Sequence, residues 1–433
     1  MLCSALQRRG LRAVRRVAVL LALLGLSWAP AACAQATAKA DLTTHDPLAS
    51  DPVIRFWQDR ARAAPRDASL SQRLSLVCLE RARRLHDVRF HVCAERAARE
   101  ALRRAPGDLG AQLLLASSQL AQHRFDLALK TAGQVLRTHP DAAAALALRG
   151  DARLALNDRA GARADYTRLL ATDISLPHLV RMASLQRAEG DAAGARKSLQ
   201  EAVRVGGEQA VAPALLGWGL LQLGASHFRS GDWAGAEIHY RQARERNGDD
   251  PDVLDHLAEL HAARGDHAKA LALLTQAYAM APRPEFQQAL GDLQTAMGDP
   301  ASALRSYRQA EAAYLLAAEA GHPLFDHHLA SLYSEAPGLR NPAKALHWAQ
   351  QDLARRRTAA SLDALAWAWY QSGKYAQAAT TMDLALQQPG QDAHMLYHAS
   401  LIYARAGQSA RSRQCLAAAA TANPKFGEFH FHR

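Results

Sequence analysis

The sequence predicts an all-α protein built as an array of about ten helical hairpins, and three observations carry this prediction. The composition is 49% hydrophobic but only 6% aromatic, which suits many close contacts between helices through small side chains. Runs of β-branched residues that would indicate strands are scarce. A joint-like motif also recurs, as "EGDAAGARKSLQEA" from Glu189, "SGDWAGAEIHYRQA" from Ser230, "RGDHAKALALLTQA" from Arg264, "MGDPASALRSYRQA" from Met297 and "SGKYAQAATTMDLA" from Ser372. Five related copies indicate architecture, so we interpret each stretch as a hairpin joint and not as a phosphate-binding loop.

Residues 1–36 are predicted to be a secretory signal peptide. Several arginines precede a short apolar run from Val17 to Leu26, and Ala34-Gln35-Ala36 fits a cleavage site. The alternative is lipidation at Cys33, because "PAAC" resembles the box at which bacterial lipoproteins are cut, although Pro30 stands where a large aliphatic residue is usual. The chain is therefore expected to be exported, either periplasmic or secreted, with an outer-membrane lipoprotein as the alternative.

The segments that follow the signal are predicted in order along the chain. Residues 37–50 form a flexible tether, and residues 51–66 form a lone capping helix with Trp57 as its packing residue. Residues 67–425 hold the hairpins, and residues 426–433 form a C-terminal tail.

Pairs of small residues mark where the two helices of each hairpin cross. The members of a pair are twelve residues apart, and only Ala330/Ala345 is stretched, by "EAPGLRN" in its turn. Helix axes approach to the short end of the usual range only where side chains are this small. The regular pairs are Ala82/Ala94, Ala116/Ala128, Gly150/Ala162, Ala183/Ala195, Gly224/Ala236, Ala258/Ala270, Gly291/Ala303, Ala366/Ala378 and Ser400/Ser412.

This pattern resembles the tetratricopeptide repeat, a helix-turn-helix unit of about 34 residues. The part from Leu346 onward resembles the last units of uncharacterised exported bacterial proteins of this kind. The resemblance implies a right-handed superhelical solenoid whose first helices line a concave groove. It assigns these groove positions: Trp218, Phe228, Asp255, Glu259, Asp292, Asp363, Trp367, Tyr370, Tyr397 and Arg405. Acidic residues with aromatic groups on either side suit an extended protein or peptide segment that carries basic and apolar side chains.

Charge and motifs argue against other classes of function. The formal net charge is +11, and five arginines lie in the signal, so the mature chain carries 11 − 5 = +6, interspersed with acidic residues. No nucleic-acid partner is therefore expected, and membrane contact is expected only if Cys33 is lipidated. We predict no catalytic residues and no cofactor, and hence a non-catalytic protein-interaction scaffold or adaptor of the bacterial cell envelope. The oligomeric state stays open, as does a lipid-anchored assembly factor as an alternative role.

The histidines offer the main alternative. His394 and His398 are four residues apart and share a helix face, as metal ligands can. The sequence shows no cysteine or carboxylate that completes a set of ligands, so we predict no metal site and interpret the histidines as surface residues of amphipathic helices. An envelope enzyme or metal-binding protein that uses the histidine clusters remains the rival hypothesis. His430 and His432 in the tail "FHFHR" could bind a metal only loosely.

Cys78 and Cys93 lie on the two helices of the first predicted hairpin. If Ala82 lies opposite Ala94, the two cysteines are out of register by five residues, or about 7.5 Å along the axis. Disulfides need a Cα separation of roughly 4.4–6.8 Å. The sequence therefore predicts no bond between them.

Overall fold

A computed structural model of the chain describes residues 47–428. The predictions on the signal peptide, on Cys33 and on the last five residues lie outside these residues. Throughout residues 47–428 the regular structure is helical, without strands, and this confirms the predicted all-α class. None of the helices in this part combines the length and the apolar character needed to cross a membrane. The described residues divide into two compact units, with the boundary between Ala152 and Arg153.

The helices are numbered here in chain order. The first unit contains α1 (Pro47–Ser50), α2 (Pro52–Ala63), α3 (Ala68–Leu85), α4 (Val88–Arg104), α5 (Leu109–Ala121) and α6 (Phe125–Thr138), and the division falls within α7 (Ala143–Ala155). The second unit contains α8 (Arg159–Thr172), α9 (Leu176–Ala188), α10 (Ala192–Glu208), α11 (Pro213–Arg229), α12 (Trp233–Asn247), α13 (Pro251–Ala263), α14 (His267–Met280), α15 (Pro284–Ala296), α16 (Pro300–Glu319), a 3₁₀ turn (Pro323–Phe325), α17 (Asp326–Glu335), α18 (Pro342–Arg355), α19 (Ala359–Gln371), α20 (Tyr375–Leu386), α21 (Ala393–Arg405) and α22 (Ser409–Ala422).

The helix that begins the array is α2, with α1 occupying the last four residues of the segment expected to be a tether. Asp51 caps α2, because its carboxylate accepts hydrogen bonds from the backbone N–H groups of Val53 and Ile54. Ile54 is the fully buried residue of this helix. Trp57, the residue expected to do the packing, is only half-buried.

Each Gly-Asp joint ends one helix and starts the next, as its sequence predicts. Gly231 adopts φ +78°, a left-handed conformation that costs glycine little. The Asp232 carboxylate then accepts a 2.9 Å hydrogen bond from the Gly235 N–H and caps α12. The same cap is formed at Asp191, Asp266 and Asp299.

The small crossing residues are buried throughout the described hairpins, apart from Ser412 in the last helix, which is half-buried. The choice between glycine and alanine follows the residue that packs across from it. A Cβ on Gly224 would lie 2.6 Å from the Tyr240 ring, and one on Gly291 would lie 2.5 Å from the Tyr307 ring. Glycine is therefore required where a tyrosine ring packs closely against the first helix at the crossing.

A disulfide joins Cys78 to Cys93 with a Cα separation of 5.9 Å, so the prediction of no bond was wrong. The error lies in the assumed register of α3 and α4. Ser75 Oγ donates a 2.8 Å hydrogen bond to the Ala94 carbonyl, which places Ser75, and not Ala82, opposite Ala94. In this register the cysteines are offset by only about two residues, or ~3 Å along the axis.

The second unit closes on itself through contacts between residues far apart in sequence. Asn157 Nδ2, after α7, donates hydrogen bonds to the Arg357 carbonyl at 2.9 Å and to Gln388 Oε1 at 3.1 Å. A Cβ on Gly390 would lie 2.7 Å from the Ala188 carbonyl oxygen. The turn after α7 and the end of α9 therefore lie against the α18–α19 and α20–α21 connections.

Candidate partner-binding pocket

The ten residues predicted for the groove all lie on first helices of hairpins in the second unit, but their exposure differs. Asp255, Glu259 and Asp363 are 5%, 3% and 8% exposed. Arg405 is exposed. The remaining six are half-buried: Trp218, Phe228, Asp292, Trp367, Tyr370 and Tyr397. The acidic centre expected at the groove surface therefore consists largely of buried carboxylates.

Two of the predicted residues, Phe228 on α11 and Glu259 on α13, line a pocket with a volume of about 110 Å³. Its opposite wall comes from the C-terminal part of the unit, including His394 on α21 and Phe426 in the turn after α22. The pocket exists because the end of the unit returns to the joint between α11 and α12. Position 231 is glycine at this contact, where a Cβ would meet the Asn423 side chain.

Both signs of charge face this pocket. Lys425 Nζ lies 3.7 Å from the centre of the Trp233 ring, a cation–π contact at the entrance. Arg229 is exposed and also lines the pocket. The Glu259 carboxylate lies 3.6 Å from His256 Nδ1. The pocket can thus hold an apolar group close to both positive and negative partners.

A second group of predicted residues forms a stacked cluster between α19 and α21. His398 Nδ1 is 3.0 Å from Asp363 Oδ1, and the His398 ring stacks on Trp367 at 3.9 Å with an interplanar angle of 8°. Trp367 stacks in turn on Tyr370 at 4.7 Å, and its indole N–H donates a 3.0 Å hydrogen bond to Glu335. Burial acts against protonation of His398, but the carboxylate of Asp363 outweighs it and raises the pKa of the imidazole.

The other predicted residues have separate surroundings. Arg405 donates a 2.9 Å hydrogen bond to the Tyr375 hydroxyl and lies over the same ring. The Tyr397 and Phe426 rings are 5.4 Å apart, which places Tyr397 next to the wall of the pocket. Asp292 accepts a 2.8 Å hydrogen bond from the Tyr307 hydroxyl, within its own hairpin.

Sequence reasoning missed the pocket residues contributed by the C-terminal turn, because nothing local indicates that this turn reaches α11. It also missed a carboxylate beside the histidine pair. Asp363 lies within hydrogen-bonding distance of His398, so the statement that no carboxylate accompanies His394 and His398 was wrong. The available signal was the repeat itself, because Asp363 and His398 lie on equivalent helices of consecutive hairpins.

Helices paired in antiparallel hairpins, with small residues at each crossing, define a helical-repeat protein. Tetratricopeptide-repeat family models match residues 113–177 and 215–283. The chain therefore contains tetratricopeptide repeats, and such repeats support a role as a scaffold for protein–protein interaction. None of the curated proteins compared with the chain matches it.

Three solved structures are similar to the chain at low identity. A tetratricopeptide repeat protein from Parabacteroides merdae is 16% identical, with 60% of this chain and 93% of that chain covered and a TM-score of 0.40. PilW, described as a type IV pilus biogenesis factor, is 14% identical, with 46% and 91% covered and a TM-score of 0.39. A monomeric mutant of IFIT1 with Gppp-AAAA is 15% identical, with 77% and 76% covered and a TM-score of 0.47.

Proposed function

We propose that this protein is a non-catalytic adaptor of the bacterial cell envelope that holds a segment of a partner protein in the pocket beside α11. The observation that carries the proposal is the convergence of Phe228, Glu259 and His394, from three different first helices, on this one pocket. A repeat array offers inner helix faces of this kind along its whole length.

The size and lining of the pocket define the chemistry of the partner. A volume of about 110 Å³ accepts a side chain or the end of a peptide, but not a folded domain. Phe228, Trp233 and Phe426 provide apolar surface. Three carboxylates line the pocket against two cations, namely Glu259, Asp392 and Glu428 against Arg229 and Lys425. We therefore expect an extended segment that inserts one apolar side chain and carries a basic group next to it.

The proposed location is outside the cytoplasm. The disulfide between Cys78 and Cys93 fits an oxidising compartment and supports the predicted export. Lipidation at Cys33 remains the alternative to cleavage after Ala36. Mass spectrometry of the purified mature protein distinguishes the two, because only lipidation leaves a modified cysteine at the N-terminus.

The experiment that tests the adaptor role is a cross-linked capture from bacterial envelope fractions with the tagged mature chain as bait. Phe228→Ala removes apolar surface from the pocket, and Glu428→Lys reverses an exposed charge at it. The matched control is Ile238→Ala on α12, where an apolar side chain is 55% exposed away from the pocket lining. Lysine at Asp255 or Glu259 is unsuitable, because it would bury a charge and disturb folding.

We expect a partner that is recovered with the wild type and with Ile238→Ala, and that is reduced with both pocket variants. Circular dichroism of each variant confirms that the helices are retained. Equal recovery with all four proteins would place partner binding elsewhere on the chain. Recovery with none of them would contradict the adaptor role.

A further inference from the structure

Three metal-ligating side chains converge between the last two hairpins. Asp363 on α19 offers a carboxylate oxygen, and His394 and His398 on α21 each offer a ring nitrogen. One ligand atom from each lies within 4.8 Å of the others. We propose that these three residues form a binding site for a divalent transition-metal ion, with Zn²⁺ as the best match.

The spacing of the ligand atoms fits such an ion. His398 Nδ1 is 3.0 Å and 3.2 Å from the two carboxylate oxygens of Asp363. Two ligands bound to Zn²⁺ at about 2.0–2.2 Å and at the tetrahedral angle are separated by roughly 3.3–3.6 Å. The pair therefore needs only a small movement to bind an ion in place of the hydrogen bond.

The surroundings hold the ligands in position. Asp363 and His398 are buried at 8% and 5% exposure, so few water molecules compete for their ligand atoms. The Trp367 ring lies parallel to the His398 ring, and the His394 ring meets His398 edge-on at 4.0 Å. Ligands held by packing in this way lose little freedom when an ion binds.

The donor set selects the class of ion. Two imidazoles and one carboxylate favour Zn²⁺ and its neighbours among the transition metals over Mg²⁺ or Ca²⁺, which prefer oxygen ligands alone. Three protein ligands leave at least one coordination position for another donor. Water can fill this position, and His394 is half-buried and also lines the pocket beside α11.

A hydrogen-bonded Asp363–His398 pair without any ion explains the distance between those two residues, but it does not require His394. The metal site requires all three side chains, and it shares His394 with the pocket. Metal binding is measured without any partner, so its outcome does not depend on partner capture. His394→Gln is the informative change, because this residue is the most accessible of the three and its replacement leaves the buried pair intact.

Titration calorimetry with ZnCl₂ on the full mature chain tests the site. The protein carries a tag without histidine, and His430 and His432 are replaced by glutamine in every sample to remove the donors of the tail. We expect one Zn²⁺ per chain, and binding at least about tenfold weaker in His394→Gln and in Asp363→Asn. The control His267→Gln changes a half-buried histidine on α14 and should bind as the parent does.

Visible absorption of the Co²⁺-loaded protein provides a second readout, because it reports the donors around the ion and should change in His394→Gln. Circular dichroism without metal shows whether each variant has kept its fold. The proposal is wrong if the parent binds no Zn²⁺, or if His394→Gln and Asp363→Asn both bind it as tightly as the parent.

Discussion

Gly224→Ala should destabilise the second unit, although alanine is the better helix former. The added Cβ would lie 2.6 Å from two carbons of the Tyr240 ring and 3.3 Å from the Ala236 carbonyl oxygen. Carbon atoms in good contact are about 3.5–4.0 Å apart, so the ring would have to move by about 1 Å. Tyr240 is fully buried and cannot move without displacing its neighbours.

The magnitude is the balance of two opposing effects. Overpacking of a well-packed interior typically costs about 1–3 kcal/mol. Replacing glycine by alanine inside a helix contributes about 0.5–1 kcal/mol in favour of the folded state. The two ranges leave a net loss of about 0–2.5 kcal/mol for Gly224→Ala, centred near 1 kcal/mol. The same change at Gly207 on α10 should be stabilising, because no atom lies within 4 Å of the added Cβ.

A second substitution distinguishes a steric clash with the Tyr240 ring from a general disruption of the fold. In the Tyr240→Leu background the pair would become alanine and leucine, the combination that Ala258 and Leu274 already form in the next hairpin. Gly224→Ala should then be neutral or stabilising, with a coupling of about 1–3 kcal/mol between the two positions.

The assay is urea unfolding followed by circular dichroism, together with hydrogen exchange of the amides in α11 and α12. Exchange is needed because a repeat array can open locally without unfolding as a whole. The reasoning is refuted if Gly224→Ala is as harmless as Gly207→Ala. It is also refuted if the penalty persists in the Tyr240→Leu background.

Three further predictions concern the packing, the disulfide and a buried carboxylate. Ala236→Leu should cost about 1–3 kcal/mol by overpacking a fully buried crossing residue, and an unchanged melting temperature would mean that the crossing is not tight. Cys93→Ser should cost about 2–4 kcal/mol, and a reductant should lower the melting temperature of the wild type but not of the variant. Burial opposes ionisation of Glu95, but hydrogen bonds from Arg99 and Gln122 outweigh it and lower the pKa of the carboxyl. Glu95→Gln should therefore cost about 1–3 kcal/mol at neutral pH, and the difference should vanish as the pH falls through this lowered pKa; a difference independent of pH would contradict the assignment.

Local patterns were sufficient to predict the hairpins. The small residues at each crossing and the aspartate that follows glycine in four of the joints both act within a single hairpin. Gly231 and Asp232 form the joint that their sequence indicates, because backbone conformation and capping depend on adjacent residues. The register of α3 against α4 was harder to predict, because the crossing pair shows which faces meet and not which residues lie opposite each other.

The candidate sites depend instead on contacts between hairpins. Asp363 and His398 belong to consecutive hairpins. The repeat period predicts that they are neighbours only if the faces of α19 and α21 are compared position by position. The pocket depends on Asn423 and Lys425 reaching the joint beside Trp233, and that contact is set by the summed rotation of the intervening hairpins. A small error in the predicted rotation of each hairpin accumulates along the array, and no single residue in the sequence indicates the summed rotation. The helices and joints of such an array can therefore be assigned from sequence, whereas the pockets formed where the array returns on itself require coordinates.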